Sequence, residues 1–154
     1  MTEGVVFQSP NGERAELKGH VLSRLLTCAQ EDSTALEAGG ILMGRRILDS
    51  ADVVVDMATQ PFPTDERSRF KFVRLPEGHQ QVLDLAWSES GGAVSYLGEW
   101  HTHPSPTAVP SPKDRRNWRR LARRFFHGRL IFLILGTDGA IGCWSEGVPW
   151  RLED

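Results

Sequence analysis

The sequence predicts an α+β (mixed α/β) fold: one sheet of paired strands with helices packed against it. Three observations carry this. Short β-prone runs alternate with segments whose apolar residues recur at helical spacing. The strands fall in pairs around turn signals, with helical segments between the pairs. No internal repeat, low-complexity tract or long linker interrupts the 154 residues. Residues 1–154 therefore read as one domain, large enough to bury roughly two-thirds of its unfolded surface.

Along the chain, residues 5–7 and 14–17 flank the turn signal Pro10-Asn11-Gly12 and predict a hairpin. Residues 20–31 place Val21, Leu22, Leu25, Leu26 and Ala29 on one face of a first helix. Glu37 closes a polar, helix-like stretch and is followed by Gly39, Gly40 and the buried-strand run Ile41-Leu42-Met43. Strands are expected at 40–48 and 53–58 around a turn at 49–52. The connection 59–77 holds Pro61, Pro63 and Pro76, with Phe70 and Phe72 suited to a short strand. A connection of this length is often functional, and an extended peptide could add a strand to such an edge. A second helix spans 76–87 and ends before Gly91-Gly92. The β-prone run 93–100 leads into His101. Ser111, Pro112 and Asp114 fit the N-cap, first position and first turn of a third helix. Residues 130–135 and 140–144 then form a hairpin around Thr137-Asp138-Gly139.

Composition excludes several classes. Hydrophobic content of 40%, charged content of 25% and a net charge of −2 argue against disorder and against wholesale nucleic-acid binding. The longest apolar stretch, 130–135, is far shorter than the ~20 residues of a membrane helix. The start lacks the basic and apolar regions of a secretion signal, and two unpaired-looking cysteines suit a reducing compartment, so a cytoplasmic location is expected.

The chemistry concentrates at His101-Thr102-His103-Pro104, Ser111 and Asp114. Alternate strand residues share a face, so His101 and His103 project together. A helix starting at Ser111 brings back the Asp114 carboxylate. Two imidazoles and one carboxylate suit a catalytic zinc, which keeps three protein ligands and an open position. Cys28 and Cys143 stand in unrelated contexts with no C-x-x-C, which excludes a structural zinc ribbon, and outside any recognisable Cys/His arrangement, which makes a thiol-protease reading poor. Alone, Ser111-x-x-Asp114 reads as a capping box and Glu37 as an exposed helix-terminal carboxylate. Only the combination lifts them to a candidate site, with Glu37 as proton acceptor and Glu99 as the alternative carboxylate.

Glu37, Gly39, Gly40 and Gly44 followed by His101-Thr102-His103-Pro104, Ser111 and Asp114 resemble the JAB/MPN metalloprotease pattern, the JAMM motif. The resemblance implies a cytidine-deaminase-like central sheet flanked by helices. It further implies that His101, His103 and Asp114 bind one zinc ion, that Glu37 is general acid/base, and that Ser111 helps stabilise the oxyanion. The family cleaves isopeptide or peptide bonds after the C-terminus of ubiquitin-like or otherwise conjugated proteins. Thr102 replaces the serine often found between the histidines; its side chain should point away from the metal and leave the chemistry intact. The segments 67–72, 79–81 and 97–104 resemble small bacterial JAB proteins of antiphage (CBASS-type) and mobile-element operons, encoded beside E1- and E2-like conjugating enzymes. That narrower resemblance implies a conjugated nucleotidyltransferase or ubiquitin-like protein, with an extended C-terminal tail, as the substrate.

Two other classes compete. A JAB-fold binding module without catalysis would have lost motif positions, and all five are present here. A zinc nucleobase deaminase requires H-x-E with a downstream P-C-x-x-C, and neither occurs. The third helix repeats Arg115-Arg116, Arg119-Arg120 and Arg123-Arg124 opposite Trp118, Leu121, Ala122 and Phe125. A solvated basic face is the default, docking of an acidic partner the rival, and nucleic acid the weakest option. His20, His79 and His127 are expected to be structural or exposed.

Overall fold

The computed structural model describes residues 2–32, 34–125 and 128–154. His127 lies outside these. The elements are β1 (Val5–Gln8), β2 (Arg14–Leu17), α1 (Gly19–Leu26), β3 (Gly39–Arg46), β4 (Val53–Ala58), β5 (Glu66–Ser68) and β6 (Lys71–Val73). They continue with α2 (His79–Glu89), β7 (Ser95–Thr102), α3 (Pro112–Arg124), β8 (Ile131–Leu135), β9 (Ile141–Ser145) and β10 (Val148–Leu152). No helix among the described residues is long and apolar enough to cross a membrane.

Local chemistry explains the early elements. At the β1–β2 turn, Ser9 Oγ accepts from the Asn11 and Glu13 N–H groups, and Gly12 takes a φ of 87°. Helix α1 buries Val21, Leu22 and Leu25, as their spacing predicts. It stops at Leu26 instead of running to residue 31. The Cys28 and Ala29 N–H groups bond back to Leu25 and Leu26, which tightens the last turn. Gln30, almost fully buried, is drawn away from any helical face by three side-chain hydrogen bonds that reach Ala35, Arg69 and Thr102.

The mixed sheet flanked by helices is present, and it closes on itself in the order β1-β10-β9-β8-β7-β3-β4-β2. Closure depends on β10, which the hydrophobic pattern does not announce. It buries one residue, Trp150, and exposes the other four, and the turn into it uses Glu146 and Gly147 at φ 52° and 77°. Positive φ at both central residues matches the twist of a tight hairpin. Most neighbours are antiparallel, but β2–β4 and β7–β8 are parallel, the latter crossing over through α3. The main core joins Leu42, Val55, Leu97, Trp100, Leu133 and Trp150 to the buried face of α1. Trp118 of α3 packs on Phe132, Ile134 and Trp144 of β8 and β9. Ala86 of α2 packs on Ile41 and Met43 of β3.

The connection 59–77 is folded. Its strands β5 and β6 pair as a hairpin, with the Phe70 side chain exposed at the tip. A buried chain holds this connection to α2: His79 bonds Thr59 Oγ1 at 2.6 Å through Nδ1 and Asp65 Oδ2 at 2.7 Å through Nε2. Asp65 also accepts from the Phe62 and Leu75 N–H groups. His79 is thus structural, as expected, and exposed His20 contacts only the Asp56 carbonyl among the described hydrogen bonds.

Candidate metal centre

Strand β7 sets the direction of its side chains by a bulge. Between Leu42 and Met43 of β3 its partner register skips Leu97, and Gly98 takes a φ of 148°. A Cβ there would lie 1.7 Å from the Ile131 carbonyl oxygen, so only glycine fits. After the bulge, Trp100 and Thr102 are buried in the interior while Glu99 and His101 border an open cavity. His103 lies one residue past the strand, tied to β8 by its N–H to the Leu135 carbonyl at 2.8 Å. The two histidines thus stand at the carboxyl end of β7, on the side where it runs parallel to β8.

Helix α3 supplies the third. Ser111 is the N-cap and its Oγ accepts from the Asp114 N–H at 3.1 Å, while Asp114 Oδ2 accepts from the Ser111 N–H at 2.8 Å. This capping box fixes the carboxylate against the histidines. His101 Nε2 stands 3.0 Å from His103 Nε2 and 3.2 Å from Asp114 Oδ1, and His103 Nε2 stands 3.1 Å from Asp114 Oδ2. Four tetrahedral bonds of about 2.0–2.1 Å separate donor atoms by roughly 3.3 Å. The two nitrogens stand about that far apart and each faces one oxygen of the Asp114 carboxylate at a similar distance, so the two imidazoles and the carboxylate suit a zinc-sized site. The remaining corner would open into a cavity of about 410 Å³. Burial opposes ionisation of Asp114, but the hydrogen bonds with His101 and His103 outweigh it and hold the carboxyl well below the usual carboxylate range.

Glu37 borders the same cavity and is only 7% exposed. Because α1 ends early, Glu37 does not close a helix; it ends an irregular connection that must be held from outside. Its N–H donates to the Ser68 carbonyl of the hairpin, and Arg67 Nε donates to the Glu37 carbonyl, both at 2.8 Å. The Ala38 N–H donates to Thr102 Oγ1 at 2.9 Å, and that hydroxyl donates to Gln30 Oε1 at 2.9 Å. Thr102 does point away from the metal ligands, and there it anchors the peptide that carries Glu37. Gly39 completes the junction: a Cβ would lie 2.6 Å from the Phe72 ring and 2.7 Å from the Trp100 carbonyl. Burial pushes the Glu37 carboxyl up to about 7, offset in part by His103.

All five predicted site residues therefore share one cavity, bounded by β6, β7 and α3. Glu99 does share the cavity with His101, but Arg74 holds it at 2.7 and 2.8 Å and the Tyr96 hydroxyl donates to it at 2.6 Å. Both oxygens of Glu99 are therefore already engaged by neighbouring side chains. Sequence reasoning missed Gln30, Arg67 and Arg74 as supports, since polar residues in predicted helix and loop give no local signal of burial.

The comparisons with known proteins agree with this geometry. The family model of prokaryotic homologs of the JAB domain matches residues 19–152. A CD-NTase/cGAS isopeptidase of Pseudomonas aeruginosa is 38% identical over 110 residues, 71% of this chain and 68% of that protein. One of the same name from Vibrio cholerae is 36% identical over 116 residues, 75% of this chain and 73% of that protein. Among solved structures, a protein from Desulfitobacterium hafniense shares the fold, with a TM-score of 0.59 at 24% identity over 90% of this chain and 88% of that one. With the family match over most of its length and all five motif residues gathered in one cavity, the chain belongs to the family of prokaryotic homologs of the JAB domain, alongside enzymes that are isopeptidases.

Proposed function

We propose that the chain is a zinc-dependent isopeptidase that cleaves the amide or isopeptide bond after the C-terminus of a conjugated protein. One zinc per chain would be held by His101, His103 and Asp114, whose two imidazole nitrogens and facing carboxylate, gathered within 4.8 Å, carry this reading. Zinc, when bound, supplies Lewis acidity toward the scissile carbonyl and brings the pKa of water down to about 7.

The chain's own residues supply the proton traffic. Glu37, with its carboxyl near neutrality, accepts a proton from water at a carboxylate oxygen and returns it to the departing lysine or peptide amine. Ser111 Oγ accepts the Asp114 N–H, which leaves its own hydrogen free to donate to the oxygen that gains charge in the tetrahedral state. The amine leaves with that proton and the tail leaves as a carboxylate, with no acyl-enzyme. Strand β6, paired only with β5 among the described residues, offers a free edge along which an extended tail can lie.

The names of the two relatives support a nucleotidyltransferase of the CD-NTase/cGAS class as the conjugated protein. Its attachment by an operon-encoded E1/E2-like system and its release in the cytoplasm are part of the proposal. The test is a fusion carrying the C-terminus of the neighbouring nucleotidyltransferase in amide linkage to a reporter amine. Mass spectrometry should find the free tail acid with zinc-loaded protein and none after chelation. Exchanging the tail should lower kcat/KM by about one to several decades, as when groove contacts position the carbonyl. Equal cleavage by Glu37→Gln, or none by zinc-loaded wild type, would overturn the proposal.

A further inference from the structure

Helix α3 separates charge within the molecule. It carries +6 in a chain whose net charge is −2, so the rest of the protein bears −8. Its six arginines make no ion pair with any carboxylate among the described residues. On the side of α3 away from the metal ligands runs a second groove of about 470 Å³. Arg115 and Arg119 line one side and Gly128, Arg129 and Gly147 the other. Arg129 is already occupied, paired with Glu13 and, at 3.6 Å, with Glu146 at the rim. The floor is apolar: buried Trp118, Leu130 and Phe132, with Phe125 half-exposed at one end. Trp118 borders both this groove and the metal cavity, so the two share a wall.

We infer that this groove docks an acidic segment, bearing one or two large apolar side chains, on the folded body of the conjugated protein. Free arginines above an apolar floor match carboxylates flanking an apolar anchor, and a cavity of this size holds two to three side chains rather than a helix. A polyanion that extended past α3 would meet the −8 of the remaining surface, which favours a short acidic segment over nucleic acid. The groove lies outside the cavity that would take the tail, so one substrate could fill both. Its identity as substrate rests on the isopeptidase reading; its chemistry as a docking groove does not.

Two measurements separate these. In the first, the whole metal-stripped chain is titrated with a fluorescent ten-residue peptide of Asp and Glu around a central Leu-Phe pair. Saturable binding at about 10–100 μM is expected at 50 mM salt, falling at least about tenfold by 300 mM as screening shortens. Arg115→Glu with Arg119→Glu should weaken it at least about tenfold. Ala122→Trp, which fills the groove without changing charge, should do likewise. Unchanged binding in both variants, equal binding of a Lys-substituted peptide, or tighter binding of a dodecamer of single-stranded deoxythymidine would overturn the proposal. In the second, the same double variant should raise KM for the whole conjugate about tenfold and leave hydrolysis of the isolated tail fusion unchanged. Peptide binding without any cleavage would refute the isopeptidase reading and keep the groove. An unchanged KM for the whole conjugate would refute the substrate assignment.

Discussion

Replacing Thr102 by Val should unsettle the Glu37 peptide without touching a metal ligand. Both residues are β-branched and suit a strand, so the backbone preference is preserved. The hydroxyl is completely buried, accepts from the Ala38 N–H and donates to Gln30 Oε1, each at 2.9 Å. Val leaves both groups without a partner, and a buried orphan costs about 1–3 kcal/mol. A combined loss of about 3 kcal/mol corresponds to about 6–12 °C in Tm for a chain of this size. Thr102→Ser keeps the hydroxyl and gives up one methyl, about 1 kcal/mol. Thermal unfolding should be followed with chelator present, so that ligand binding contributes nothing to the midpoint. Val should fall below Ser by about 2 kcal/mol, and it alone should lose activity beyond its loss of folded protein. If Val proves as stable as Ser, the hydroxyl does not anchor the Glu37 peptide, and the account of how that residue is positioned fails.

Other consequences are as specific. Asp114→Ala should lose most of the metal, with elemental analysis of the purified chain dropping from near one zinc per chain; retention at the wild-type level would remove Asp114 from the ligand set. Glu37→Gln should keep the metal and lose at least about 100-fold in turnover, within what a positioned acid/base supplies. In the metal-free chain Glu37 also affects stability with pH: its carboxyl, raised from 4.5 to about 7, binds more protons folded than unfolded between those values. Its contribution is therefore fully present below about 4.5 and lost as pH rises through 7, a change of about 3 kcal/mol at most that Glu37→Gln should abolish, as denaturant unfolding at pH 5 and 8 would show. Gly39→Ala should push Phe72 and its hairpin off β3, destabilising by about 1–3 kcal/mol as overpacking does; a wild-type midpoint would contradict the close approach at that glycine.

The parts of the site legible in the sequence are those fixed by short-range geometry. Alternation along β7 brings His101 and His103 together, and the cap at Ser111 presents Asp114; spacing within one strand and one helical turn specifies both. The fold class was legible for the same reason, since periodicity and turn signals are local. Three features were not. The end of α1 is set by Gln30, whose side chain bridges to Arg69 and Thr102 across the fold. Strand β10 buries Trp150 but exposes most of its other residues, so its pattern is weak and its pairing with β1 joins the two ends of the chain. The hairpin of β5 and β6 is held by the buried Thr59, Asp65 and His79 chain, whose members are separated by proline-containing loop.

These features bear on one another, because the proposed metal ligands and the proposed proton acceptor are positioned by different means. His101, His103 and Asp114 stand at the ends of a central strand and a capped helix, elements that pack on the buried core. Glu37 has no such element; it borders the cavity only because Ser68, Arg67 and Thr102 hold its peptide from two sides. The hairpin that supplies Ser68 and Arg67 also supplies the free edge beside the cavity, so a tail lying along β6 presses on the strand pair that fixes the proton acceptor. If the tail binds there as proposed, its binding and Glu37 placement would be coupled through two hydrogen bonds, from Glu37 to Ser68 and from Arg67 to Glu37. A tail that pairs poorly with β6 should lower kcat as well as raise KM, because it orders less of the wall that holds Glu37. A tail exchange that changed KM alone would mean that the hairpin is already rigid and that the edge supplies binding without alignment.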